Sequence, residues 1–92
     1  MQQQRKGKTI VSEAEATREK ARRVLQAAVV EAFGRPRAYV MQGPIMQRAS
    51  VSDEEEFRTI AEYLDRKGWI GEADDDYGVF VVTSAGLEEA TR

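Results

Sequence analysis

The chain has 92 residues, 33% of them charged, with 14 Lys/Arg against 16 Asp/Glu for a net charge of −2. A chain this short builds one modest core, since it buries only around two-thirds of its unfolded surface. It has no cysteine and no histidine, which excludes disulfides, thiolate zinc sites, a thiol nucleophile and the usual general base near neutral pH.

The expectation is therefore a cytoplasmic protein that is not an enzyme and carries no cofactor. No apolar run exceeds a handful of residues, the best being Ala27 to Val30 and Val79 to Val82, so neither a membrane span nor a secretory core is expected. The charge is unevenly divided. Residues 1–48 hold ten Lys/Arg and four Glu, a net +6, whereas residues 49–92 hold four Lys/Arg and twelve Asp/Glu, a net −8. Such a split fits a basic surface meeting nucleic acid, two complementary surfaces meeting in an oligomer, or two ordinary solvated faces.

Residues 1–11, MQQQRKGKTIV, lack periodicity and read as a flexible basic tail with Arg5, Lys6 and Lys8 as its charges; the folded domain spans 12–92. Ser12 and Glu15 have capping-box spacing. Ala21, Val24, Leu25, Ala28, Val29 and Ala32 then recur on one helical face, until Gly34 and Pro36 end the run. The spacing predicts a helix at about 13 to 33. Val30 and Phe33 make its end apolar nearly all round, so that end should be buried on more than one side, by core packing or by a helix-to-helix homodimer through residues 13–33.

Ala38 to Met41 fit a short strand, and Pro44 suits the first position of a short helix ending near Ala49. The stretch VSDEEEFRTIAEYLDRKGWI (51–70) reads as a capped helix over 53–67. Ser52 with Glu55 and Asp53 with Glu56 are alternative capping boxes, and Phe57, Ile60, Ala61 and Leu64 form its buried stripe. Gly68 stops the helix in the left-handed conformation, and Trp69 packs back on the last turn near Leu64. Trp69-Ile70 and Gly78 to Thr83 read as two strands of a hairpin turning around Asp74 to Tyr77. Thr83 or Ser84 then caps a final helix carrying Leu87 and Ala90. The fold class is α+β, with Leu25, Val29, Phe57, Ile60, Leu64, Trp69, Ile70, Phe80 and Val82 as the expected core.

This order, together with YLDRKGWI (63–70) and YGVFVVTSAGLEEA (77–90), resembles the winged helix-turn-helix superfamily. The resemblance covers roughly residues 13–91 as a pattern, with motif-like letters only in the second half. It implies a regulator-like protein whose helix at 53–67 lies in the major groove of double-stranded DNA while the hairpin forms a wing. On that reading Arg58 and Thr59 face bases, Arg48, Arg35 and Arg37 meet phosphates, and Arg5, Lys6 and Lys8 follow a groove.

The chain departs from the DNA-binding pattern at both contact elements. The outward residues of the helix include Glu54, Glu55, Glu62 and Asp65 against Arg58 and Arg66, and the wing tip is Asp74-Asp75-Asp76. Each acid in such a footprint opposes phosphate binding. The alternative is a protein-interaction module that presents this acidic helix and tip to a basic protein partner. Glu72, Asp74 and Asp76 alternate along an extended segment, but they lack the spacing of a calcium loop and read better as a solvated turn. No phosphate-cradling glycine motif and no site for a small-molecule substrate stand out.

Overall fold

A computed structural model describes residues 2–73 and 78–92, with side chains from residue 17 onward. The elements are α1 (Gln2–Glu31), β1 (Tyr39–Met41), α2 (Gln42–Ala49), α3 (Glu54–Arg66), β2 (Ile70–Glu72), β3 (Val79–Val82) and α4 (Ser84–Ala90). The protein is thus an α+β domain of four helices and one three-stranded antiparallel sheet in the order β1-β3-β2. Among the described residues no helix is long and apolar enough to cross a membrane.

The first helix begins earlier than its sequence signals suggest. The backbone from Gln2 to Val11 is helical and continuous with α1, and Ser12 lies inside the helix, so Ser12 and Glu15 do not cap its start. Glutamine, arginine and lysine are good helix formers, and Gly7 is the only weak residue among positions 2–8. At the other end α1 stops at Glu31, two residues short of the expected limit. The N–H of Phe33 donates to Val30 O and that of Gly34 to Val29 O, both at 3.0 Å, the paired bonds of a Schellman closure. That closure puts Phe33 itself in the left-handed conformation at φ 54°. Val30 and Phe33, expected to be buried, are 51% and 87% exposed: Val30 points away from the core stripe, and Phe33 has already left the helix.

Ala21, Val24, Leu25 and Ala28 of α1, and Ala32 just beyond it, are buried as their spacing predicts, joined by Ala27. They pack with Ile45 and Ala49 of α2 and with Phe57, Ile60, Ala61 and Leu64 of α3; Ile70, Phe80 and Val82 line the inner face of the sheet. Val29 and Trp69 pack against this core partly buried. Pro44 is the third residue of α2 and not its first. First-turn N–H groups have no partner inside the helix, so proline fits throughout that turn.

Asp53, one of the two expected caps, caps α3 by accepting from the Glu55 N–H at 2.9 Å, while Glu56, expected to complete its capping box, pairs with Lys20. Gly68 at φ 79° and the bond from Trp69 N–H to Leu64 O at 3.0 Å end the helix as expected. Trp69 then meets Tyr63 edge-on, with ring centroids 6.4 Å apart.

One junction ties α3, the sheet and α4 together. Thr83 Oγ1 donates to Gly68 O at 2.6 Å and accepts from Gly86 N at 2.9 Å, while Thr83 N–H donates to Trp69 O at 3.0 Å. Thr83 therefore caps α4 and, with the same hydroxyl, holds the end of α3.

Candidate functional site

α3 rests its apolar stripe on the inner face of the sheet, where Phe57 and Phe80 meet edge-on with centroids 5.7 Å apart. Beside this contact a cleft of about 210 Å³ opens between α3, the tip end of the hairpin and the start of α2. Its floor is Phe57, Ala61, Ile70 and Phe80, and its charged rim is Arg58, Glu62, Asp65 and Glu72. Three carboxylates thus face one guanidinium around an apolar floor.

Of the arginines expected to contact DNA, Arg58 lies on α3, whereas Arg48, Arg35 and Arg37 belong to other elements. Arg58 is exposed on α3 and forms no ion pair with the described residues. Thr59, one residue on, turns its hydroxyl to donate to Glu55 O at 3.1 Å, so the hydroxyl is engaged by its own helix. Arg48 sits in the last turn of α2 and pairs with Glu31 at 2.8 Å, tying α2 to the end of α1.

Arg35 and Arg37 are exposed in the connection between α1 and β1. The Arg37 N–H donates to Val82 O at 3.1 Å, at the end of the sheet away from the hairpin tip. Arg58 lines the cleft at the tip end, beside Gln42 and Gly78. The four-residue β3 separates the two ends by roughly 10–13 Å. Arg5, Lys6 and Lys8 lie on the α1 backbone, and their side chains fall outside the described residues.

The basic half also serves the fold internally. Lys20 pairs with Glu56 at 2.6 Å across α1 and α3, and Arg23 Nε donates to Ala49 O at 3.3 Å at the end of α2. Part of the charge split is therefore an internal complement between α1 and the acidic start of α3.

Glu54, Glu55, Glu62 and Asp65 are all exposed along α3. Asp74, Asp75 and Asp76 lie outside the described residues. Among the described residues no cluster of three carboxylates is placed to hold a metal. The acidic face and the apolar residues behind it are legible in the sequence; Gln42 and the cleft between them are not. The available signal was the inward side of the hairpin, where Ile70 and Phe80 meet the stripe of the preceding helix. Compared with known protein families, curated proteins and solved structures, the chain matches none.

Proposed function

We propose that this chain is a winged-helix domain working as a protein-interaction module without catalytic activity, and that it takes a basic protein segment into the cleft between α3 and the hairpin. The winged-helix reading is supported by the element order and by the sheet order β1-β3-β2, with a hairpin directly after α3. The interaction reading is carried by the cleft: an apolar floor of Phe57, Ala61, Ile70 and Phe80 beneath Glu62, Asp65 and Glu72. Such a site suits a small apolar side chain flanked by Lys or Arg, with the charged rim steering the encounter.

The test is titration of the isotope-labelled protein with a basic amphipathic peptide of Lys and Leu at helical spacing. Amide shifts should concentrate on Glu62, Asp65 and Gly71, and binding should weaken as salt rises and in Glu62→Lys. Shifts spread elsewhere, or none at low salt, would overturn the proposal.

Binding of double-stranded DNA is the second reading, and it rests on Arg58, the exposed arginine of α3 with no ion pair among the described residues. Against it stand the acids around Arg58 and the use of Arg48 by Glu31. Anisotropy titration of a random-sequence duplex at several salt concentrations decides between the two. Binding whose log K falls steeply with log salt, and which Arg58→Ala weakens, would replace the protein-interaction reading.

A further inference from the structure

β1 is an outer strand of the sheet, bonded among the described residues only to β3. Its residues pair as Tyr39–Val81, Val40–Phe80 and Met41–Val79. The Gln42 N–H donates to Gly78 O at 2.8 Å, so 42 and 78 form a hydrogen-bonded pair. By the alternation of an antiparallel ladder, so do Val40 and Phe80. The peptide groups of Tyr39 and Met41 consequently point the other way, towards the open edge.

Their side chains stand on the face of the sheet opposite the core. Tyr39 is 73% and Met41 56% exposed, above the half-buried Val81 and Val79. Open edges are normally guarded by a lysine, a proline or a bulge, and residues 38–41, AYVM, contain neither charge nor proline.

The exposed large hydrophobics among the described residues are Val30, Phe33, Tyr39 and Met41, all in the end of α1 and the run into β1. Phe33 adds a second anomaly, a bulky residue at φ 54° with its ring almost wholly in solvent. The Schellman closure of α1 sets that backbone conformation, but it leaves the ring without cover from the described residues.

We propose that β1 is the pairing edge of a symmetric homodimer, in which β1 of two copies align antiparallel about a two-fold axis through Val40. The strand is self-complementary in that register. Tyr39 of each copy lies opposite Met41 of the other, an aromatic–thioether pair formed twice. The Met41 N–H of each copy meets the Tyr39 carbonyl of the other, closing a six-stranded sheet. The same axis sets the Arg35 and Arg37 end of one copy level with the end of the other copy's sheet where β2 finishes at Glu72. The four exposed apolar side chains offer on the order of 500–600 Å² per copy, at the low end of specific interfaces and suited to a reversible dimer. This inference is independent of the cleft, which lies on the opposite face of the sheet.

Sedimentation equilibrium of the full chain tests it. The wild type should dimerise at roughly 10–100 µM, and Tyr39→Lys should weaken association about tenfold or more, with an unchanged circular-dichroism spectrum because the ring is exposed. Tyr39→Lys combined with Met41→Glu should restore the dimer, since each lysine then faces a glutamate of the other copy. A wild type that stays monomeric throughout this range would overturn the proposal. So would a dimer indifferent to Tyr39→Lys, failure of the double variant to recover, or open-ended association beyond two copies.

Discussion

Replacing Gly86 by alanine tests whether α4 is seated as described. An ideal Cβ on Gly86 would stand 2.1 Å from Trp69 O, 2.9 Å from Trp69 C and 3.1 Å from Val82 Cγ1. The first two neighbours are backbone and cannot rotate away, so α4 must slide off the sheet by about 1 Å or more to reach ordinary contact distances. That movement stretches the Thr83 N–H to Trp69 O bond of 3.0 Å and the Thr83 hydroxyl contacts to Gly68 and Gly86.

Overpacking against a fixed wall costs up to about 3 kcal/mol, occasionally more, and the lost capping geometry adds to it. Alanine's better helix propensity returns about 1 kcal/mol. The expected net loss is about 2–3 kcal/mol, which lowers the melting temperature by roughly 10–20 °C in a domain of this size. Urea unfolding followed by circular dichroism measures it, as a lower midpoint with an unchanged slope. Propensity alone predicts the opposite sign, so a variant as stable as the wild type, or more stable, would refute the packing argument.

Gly43 is the counterpart: a Cβ there meets nothing within 4 Å, so Gly43→Ala should stabilise α2 by about 0.5–1 kcal/mol in the same assay. Phe57→Ala removes a ring that is wholly buried against Phe80 and should cost about 3–5 kcal/mol, leaving little folded protein at 37 °C. Phe33→Gly relieves a left-handed residue whose side chain is exposed. It should raise the melting temperature of dilute protein by a few degrees, corresponding to about 1 kcal/mol, while weakening any association through β1.

The order of elements was legible because each carries its own punctuation. Asp53, Gly68 and Thr83 stand where the structure uses them, and the stripe Phe57, Ile60, Ala61, Leu64 is buried as spaced. What escaped were features that depend on two segments meeting. Gly86 reads from sequence as a poor helix residue; only the carbonyl of Trp69 beneath it shows why a side chain is excluded. The apolar end of α1 suggested burial, but periodicity cannot tell a core face from an unpartnered one, and Val30 and Phe33 are exposed. The arginines at 35, 37, 48 and 58 could be counted from sequence, but their distribution over both ends of the sheet depends on strand register. The start of α1 was misplaced because a capping pattern at Ser12 can equally lie within a helix whose preceding residues favour it.

The central strand of the sheet is also the last to be made. Tyr39 pairs with Val81, 42 positions later, and β2 likewise finds its only described strand partner in β3. A growing chain that has reached Gly78 therefore carries two short strands that have nothing to pair with, while the apolar faces of α1, α2 and α3 already exist. Closing the sheet waits for β3, and Thr83, the residue that follows it, supplies the hydroxyl that clasps the end of α3. Folding of the sheet is thus gated by the arrival of β3, where a non-local pairing must form before the domain is cooperative. A chain cut short after Gly78 should behave as a helical, aggregation-prone intermediate, however complete its helical core.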